Sequence, residues 1–178
     1  ARIVIIGSGA TGTELAANLR QVEAGFFRGE GRAPRDMLEI LIAEAAPQLM
    51  PGAEETLREA VRSRLDDLEI DTLTGAKIAE IAVDGVVASD GTRYPADISV
   101  WAAGLVGNPV LGKLAAFDLD NKGRIVVDSR LRSELDPRIQ AFGDAASFTP
   151  EGAGAPLPPT AQCASQQADY LAAAIPLL

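Results

Sequence analysis

Two apolar runs without alternation lie in the first quarter of the chain. Residues 2–6 read RIVII and residues 38–43 read LEILIA. An unbroken aliphatic run is typical of a strand that is covered on both faces of a parallel sheet. We therefore predict two parallel strands, the first ending at Gly7 and the second at Glu44.

Three other segments have the helical period instead. From Thr13 onward, and again over residues 54–68, apolar residues recur on one stripe with polar residues elsewhere, and a last helix is predicted from about Thr160 to Ala174. The apolar positions of the first two stripes are Leu15, Ala16, Leu19 and Val22, then Leu57, Val61, Leu65 and Leu68.

Short strand candidates follow the second helix. EIDTLTG, AKIAEIAV, GVVAS and DISVWAAG occupy residues 69–104, with the turn signals Asp84-Gly85 and Asp90-Gly91 between them, and they predict a small antiparallel meander. The Gly/Pro/Arg-rich stretch over residues 26–36 predicts a surface loop. The pattern as a whole indicates an α/β fold, a Rossmann-like doubly wound parallel sheet with a small antiparallel β-meander.

Composition narrows the function classes. The 178 residues are 47% apolar and 23% charged, with a net charge of −9 and no histidine. The acidity disfavours nucleic acid as a partner, and the lack of imidazole excludes His-based triads and zinc sites, so we expect no metal. The single cysteine, Cys163, offers no internal disulfide. Without a signal segment or a membrane-length apolar run, we expect a cytoplasmic location.

The stretch GSGATG at residues 7–12 joins the first strand directly to the first helix. In a GxGxxG fingerprint, Gly7 permits the sharp exit from the strand, Gly9 leaves room for a pyrophosphate, and Gly12 lets the helix pack closely on the sheet. The helix N-terminus then favours the anion. A glycine turn without a ligand is the alternative, and the correct order of strand, turn, helix, strand and acid argues against it.

Glu44 stands where the fingerprint places an acid, at the end of the second strand. Such a carboxylate accepts hydrogen bonds from the ribose hydroxyls of the adenosine half. Because Ala45 and Ala46 follow it, no arginine is present there to pair with a 2′-phosphate. We therefore predict NADH rather than NADPH as the ligand.

Glu14 has two interpretations. Thr11 and Glu14 have the spacing of a capping box, in which the two side chains satisfy free amides at a helix start. A carboxylate one turn into this helix also suits a place beside a bound nicotinamide. The spacing leaves both open, and we name Glu14 as the candidate catalytic residue.

Six segments together resemble a known family. GSGATGTELAANL, LIAEAAPQLMP, ISVWAAGL, GRIVVDSRL, IQAFGDAAS and PPTAQCASQQADYLA, in this order, are similar to the two-dinucleotide flavoproteins of the pyridine nucleotide-disulfide oxidoreductase type. They most closely resemble the type II NADH dehydrogenases, which are NADH:quinone oxidoreductases. The resemblance covers nearly the whole chain.

The resemblance implies two domains and two cofactors. Residues 1–110 correspond to an NADH-binding Rossmann-like domain, and residues 111–178 to the C-terminal part of an FAD-binding domain. It also implies that Asp144 binds a ribityl hydroxyl of FAD, that Gly143 allows the backbone to approach, and that AQCASQ lies against the flavin and the quinone. The cofactor contacts we predict are Gly7, Ser8, Gly9, Ala10, Thr11, Gly12, Glu44, Ala45, Ala103, Gly104, Gly143, Asp144, Ala161 and Gln162, with Gln162 and Gln166 at the quinone.

Each of these later positions also has a plain structural interpretation. Gly143-Asp144 is a common turn pair, Gln162 and Gln166 fit an exposed helix face, and Trp101 is interpreted first as a core residue. Ala103 and Gly104, by resemblance, belong to a small-residue turn near the nicotinamide and flavin.

The function implied by the resemblance is transfer of a hydride from NADH to FAD and then of electrons to a quinone in a respiratory chain. No second glycine fingerprint is present, so we expect a fragment that lacks the N-terminal FAD-binding motif, binds NADH weakly and is inactive toward quinone. The intact protein is expected to be peripheral on the cytoplasmic face of the inner membrane, touching it only through regions outside this chain, and a homodimer is possible. The alternatives are a flavoprotein reductase of a ferredoxin-like protein or a disulfide, and a non-catalytic NAD(H)-sensing domain.

Overall fold

The computed structural model describes residues 1–26, 37–114 and 117–175. The chain forms two compact units, Ala1–Gly104 and Leu105–Leu178. The predicted surface loop over residues 26–36 lies outside the described residues, apart from Phe26, which ends the first helix.

A four-stranded parallel sheet is the centre of the first unit. Its strands are β1 (Arg2–Ile6), β2 (Glu39–Ala43), β3 (Asp71–Leu73) and β7 (Ile98–Trp101), in the order β3-β2-β1-β7. β1 pairs with both β2 and β7. The two aliphatic runs are thus the two inner strands, as predicted.

Two helices accompany this sheet. α1 spans Ala10–Phe26 and α2 spans Glu55–Asp67, so α1 begins three residues before the predicted start. A buried cluster of side chains from β1, β2, α1 and α2 joins the helices to the sheet. Its members are Ile3, Ile5, Ala16, Ile40, Ile42, Leu49, Leu65 and Ile70.

The antiparallel meander has three strands, and one part of its prediction is wrong. β4 (Ile78–Ala82), β5 (Gly85–Ala88) and β6 (Arg93–Pro95) pair in sequence through the two predicted turns. The segments EIDTLTG and DISVWAAG instead supply β3 and β7 of the parallel sheet. Short exposed edge strands have no continuous apolar run, so the pattern did not distinguish them from meander strands.

The second unit contains short elements around its own core. Its helices are α3 (Val110–Lys113) and α4 (Ala161–Ala174), and its paired strands are β8 (Ile125–Val126) and β9 (Ala146–Ser147). Their shared core consists of Ile125, Val127, Leu131, Ala141, Ala146 and Leu171.

Two turns of the second unit repeat one hydrogen-bond pattern. Oδ1 of Asp120 accepts the amides of Lys122 and Arg124, and its Oδ2 accepts Nε of Arg124 at 2.8 Å. Asp128 binds the amides two and four residues later, and the guanidinium of Arg132, in the same way. Burial raises the pKa of Asp120, but these hydrogen bonds and one with Ser147 outweigh it and lower that pKa to about 2, so the turn keeps its charge in mild acid.

Candidate dinucleotide site

The candidate site lies at the carboxyl edge of the parallel sheet. Gly7 follows β1, Glu44 follows β2 and Ala102 follows β7. Backbone bonds extend the sheet past its strands, from Gly7 N to Ala43 O and from Ala102 N to Ile6 O, each 2.8 Å. Because ligands of open α/β sheets bind outside the carboxyl ends of the strands, this edge is where a nucleotide would be held.

Gly7 and Gly12 are required by the protein's own backbone. Gly7 has φ +106°, and a Cβ there would lie 2.6 Å from the carbonyl oxygen of Ala102. A Cβ on Gly12 would lie 2.0 Å from the carbonyl oxygen of Gly7. The steric parts of both predictions are confirmed: Gly7 makes the turn and Gly12 lets α1 lie close to β1.

Gly9 differs from both, because a Cβ added to it would have no atom within 4 Å. It is exposed and immediately precedes α1. The first amides of a helix have no intrahelical acceptor, and the first turn of α1 carries no acidic residue that would offset its positive end. No atom of the described residues requires a glycine here, so Gly9 leaves open space in front of these amides.

Glu44 is buried against the glycine turn. Its Oε2 accepts the Ser8 amide at 2.9 Å and the Ser8 hydroxyl at 2.6 Å, and its Oε1 accepts the Ala46 amide at 2.8 Å. Burial raises the pKa of Glu44, but the hydrogen bonds from Ala46, Ser8 and Ala45 outweigh it, so the pKa lies below its ordinary value. The structure therefore holds an ionised carboxylate beside the N-terminus of α1.

Of the two interpretations of Glu14, the capping box with Thr11 does not hold. α1 begins at Ala10, and the Thr13 amide bonds to the Gly9 carbonyl oxygen at 3.1 Å, so Gly9 holds the N-cap position. Thr11 is the second residue of α1 and therefore does not hold the N-cap position that a capping box requires. Glu14 is exposed in the next turn, where its carboxylate is accessible from solvent.

The segment after β7 corrects a second prediction. Trp101 is not a core residue, since its side chain is 58% exposed at the end of the edge strand β7. Ala103 and Gly104 are also exposed, and Gly104 has φ +99°. The aromatic side chain was assigned to the core by its type, but an outer strand of a sheet lacks a neighbour on one side.

In the second unit, a short 3₁₀ turn over Gly143–Ala145 carries the predicted Gly143-Asp144 pair. Gly143 has φ +61°, and Asp144 is exposed. The Gly143 amide donates to Oε1 of Gln167 on α4 at 2.7 Å. Sequence reasoning missed Gln167. It is one helical turn before the buried Leu171 and therefore on the same side of α4, and a polar residue on the side of a helix that faces the core indicates a hydrogen bond within the protein.

The start of α4 presents the AQCASQ segment. Thr160 caps the helix, its Oγ1 accepting the Cys163 amide at 3.3 Å. Ala161, Gln162 and Gln166 are exposed. The two glutamines share a face, as predicted from their spacing.

Comparison with known proteins identifies the family of the chain. The family model described as pyridine nucleotide-disulphide oxidoreductase matches residues 1–168. The chain belongs to this family. The resemblance inferred from the six sequence segments is therefore confirmed, together with the α/β fold.

Several oxidoreductases of this family are similar along most of the chain. A type II NADH:quinone oxidoreductase of Haemophilus influenzae is 31% identical over 167 residues, covering 93% of this chain and 37% of that protein. The Staphylococcus aureus type II NADH:quinone oxidoreductase is 32% identical over 173 residues, covering 96% and 42%. The chain thus spans about two fifths of the length of these relatives.

A solved structure of the family has the same fold. The ferredoxin reductase for the CYP199A2 system from Rhodopseudomonas palustris superimposes with a TM-score of 0.75 and 29% identity, over 98% of this chain and 40% of that one. Within residues 1–26, 37–114 and 117–175, no cluster of metal-ligating side chains is found. No helix in the described part of the chain is long and apolar enough to cross a bilayer.

Proposed function

We propose that the Ala1–Gly104 unit binds NADH, as the nucleotide-binding part of a flavin-dependent oxidoreductase that passes electrons to a quinone. The observation that carries the proposal is the open space at Gly9 in front of the first amides of α1. A diphosphate placed there would be held by backbone amides and by the positive end of the helix dipole.

Glu44 would hold the adenosine ribose and set the preference for NADH. Its Oε1 accepts the Ala46 amide, and a carboxylate oxygen accepts more than one hydrogen bond, so a ribose hydroxyl would also be able to donate to Glu44. A 2′-phosphate would instead meet an ionised carboxylate that is fixed in place. We therefore propose that NADPH is rejected by charge repulsion.

We propose that the second unit contributes to an FAD site. The carboxylate of Asp144 is exposed and able to accept a sugar hydroxyl, and Gly143 is held in its left-handed conformation by Gln167. The exposed start of α4 offers Ala161 and Gln162 to the flavin, and Gln162 and Gln166 to the quinone. The residues present fit the group in chemistry and exposure.

The residues of each unit would bind and orient one cofactor, NADH in the first unit and FAD in the second, and FAD would supply the hydride-accepting chemistry when bound. Glu14 would lie on the nicotinamide side as an orienting carboxylate. Neither unit offers a histidine, so the residues of this chain act by binding and positioning rather than by imidazole acid–base chemistry. Peripheral contact of the intact protein with a membrane stays a prediction.

Gly9→Ala tests the diphosphate position. The variant is expected to fold, because its methyl group meets open space and an alanine at this helix start costs less than about 1 kcal/mol. Its affinity for NADH is expected to fall about tenfold or more, since the methyl group occupies the approach of the pyrophosphate. Calorimetric titration of the 178-residue chain measures this.

Gly25→Ala, near the other end of α1, is the matched control, because a Cβ there also has no atom of residues 1–26, 37–114 or 117–175 within 4 Å. It is expected to bind NADH like the unmodified chain. Equal affinity for NADH in the Gly9 and Gly25 variants would contradict the proposal that the diphosphate binds at the glycine turn.

The electron acceptor is tested on the full-length protein. Two sequence relatives are quinone oxidoreductases, whereas the 29% identical structure is a ferredoxin reductase. We expect NADH-dependent reduction of a soluble quinone analogue to be faster than reduction of a ferredoxin-like protein or a disulfide. The reverse order would establish the second candidate, and NADH binding without reduction of any acceptor would favour a sensing role.

A further inference from the structure

Ser8 is the only residue of the glycine turn whose polar side chain faces the protein interior. Its relative exposure is 0%, and it lies between Gly7 and Gly9 in the sequence. Both its amide and its hydroxyl donate to Oε2 of Glu44. The side chain is therefore turned away from the space in front of α1, where a bound diphosphate would lie.

The direction of the hydroxyl proton follows from the donors around it. The Met50 amide donates to Ser8 Oγ at 2.9 Å, so Oγ is an acceptor in that bond. A hydroxyl has one proton, and the 2.6 Å separation from Glu44 Oε2 shows where it goes. Oε2 thus receives two donors at once, an arrangement that suits a carboxylate and not a protonated carboxyl group.

The loop after β2 is fixed through the same hydroxyl. Met50 has φ +45°, a conformation that is unfavourable for a residue with a side chain. Its amide bond to Ser8 and the fully buried neighbour Leu49 hold this backbone in place. Ser8 therefore connects the glycine turn, the end of β2 and the loop that leads to α2.

We propose that Ser8 is a positioning residue, which fixes the Glu44 carboxylate through its hydroxyl and amide and so sets the preference for NADH over NADPH. The inference rests on the proposed NADH site and deepens it. Without the hydroxyl, Oε2 of Glu44 keeps the Ser8 amide but loses its 2.6 Å bond, so the carboxylate is held less firmly in the place where it would repel a 2′-phosphate.

The electrostatics of Glu44 support this assignment. The pKa of Glu44 is raised by burial and lowered by hydrogen bonds from Ala46, Ser8 and Ala45, which are the largest influences on it. Removing the Ser8 hydroxyl leaves burial in place and removes one of the opposing bonds. The pKa of Glu44 in a Ser8→Ala variant is therefore expected to rise.

The test measures nucleotide preference and its pH dependence in Ser8→Ala. We expect the ratio of NADPH to NADH dissociation constants to fall about tenfold, the usual effect of losing a hydrogen bond to a charged group. ADP-ribose, which is stable in acid, serves for the pH profile. Its affinity for the unmodified chain is expected to stay level from pH 7 to pH 5, because a lowered pKa keeps Glu44 ionised there, and in Ser8→Ala the affinity is expected to begin falling at a higher pH than in the unmodified chain.

Ser8→Thr is the conservative variant that retains the hydroxyl, and it is expected to restore both the preference and the level pH profile. Unchanged preference and an unchanged pH profile in Ser8→Ala, with NADH still bound, would overturn the role of Ser8 alone. If the unmodified chain binds neither NADH nor ADP-ribose, the proposed function itself fails.

The unmodified chain provides a second test that does not depend on the folding of a variant. In an NMR pH titration, the Ser8 amide proton is expected to shift with the same midpoint as the Glu44 carboxyl carbon, and that midpoint is expected to lie below the ordinary glutamate value. A Ser8 amide that does not follow the Glu44 titration would contradict the proposal.

Discussion

Replacing Gly12 with alanine is expected to lower the free energy of unfolding of the Ala1–Gly104 unit by about 3 kcal/mol, at the upper end of the usual cost of overpacking. The new Cβ would lie 2.0 Å from the Gly7 carbonyl oxygen and 3.4 Å from Cγ2 of Ile5. Alanine is the better helix former by only about 1 kcal/mol, so the clash with backbone outweighs the gain. Urea unfolding followed by circular dichroism measures the change.

Gly25→Ala again serves as the control, since it is in the same helix and a Cβ there contacts none of the residues that the structure describes. The propensity term acts there without a clash, and stability is expected to stay level or rise by up to about 1 kcal/mol. A Gly12 variant as stable as the Gly25 variant would contradict the close approach of α1 to β1.

Arg20→Met is expected to destabilise the same unit by about 3–5 kcal/mol, because it leaves a buried carboxylate without its partner. Arg20 and Glu23 are each 3% exposed and form an ion pair on α1. Nε and Nη2 of Arg20 also donate to the carbonyl oxygens of Leu68 and Glu69, and Nη1 donates to that of Leu38. These bonds connect α1 with β2 and with the turn after α2.

Adding Glu23→Gln to Arg20→Met separates the charge from the lost contacts. Glutamine keeps an acceptor for the Leu38 amide, which Glu23 Oε1 binds at 2.9 Å, and it removes the unpaired charge. The double variant is therefore expected to be more stable than Arg20→Met alone, while Arg62→Met at an exposed position of α2 is expected to change stability by less than about 0.5 kcal/mol. A double variant less stable than Arg20→Met would contradict an unpaired charge as the main cost.

The local pattern of apolar and capping residues was sufficient to place three elements to within one residue of their observed start. β1 matches RIVII residue for residue, β2 begins one residue inside LEILIA, and α4 starts one residue after the predicted Thr160. These elements have either an unbroken apolar run or a cap with a clear side chain. The positions of these elements therefore follow from residues that are close together in the sequence.

The features that sequence reasoning missed depend on contacts between distant residues. Ser8 and Glu44 are 36 positions apart, and Arg20 meets carbonyl oxygens 48 and 49 positions away. A serine in a glycine turn and an arginine on a helix are ordinarily surface residues, so nothing in their immediate neighbours predicts burial. Leu131 is a related case, because it has φ +59° in the place that Gly123 takes in the preceding turn.

The candidate site was predicted in its positions and less well in its contacts. The glycine fingerprint and the acid after β2 are close together, as expected from parallel strands ending at one edge. The prediction that Glu44 binds the ribose did not include its hydrogen bonds with Ser8, Ala45 and Ala46. Side-chain partners of a buried acid follow from the loop geometry, which the spacing of residues does not contain.

A crystal structure of the 178-residue chain grown with NADH tests the central claim most directly. The account predicts the diphosphate over Gly9, within hydrogen-bond distance of the amides at the start of α1, with a ribose hydroxyl on Glu44 Oε1 and the Ser8–Glu44 bonds intact. NADH bound elsewhere, or a diphosphate that does not reach these amides, would contradict it.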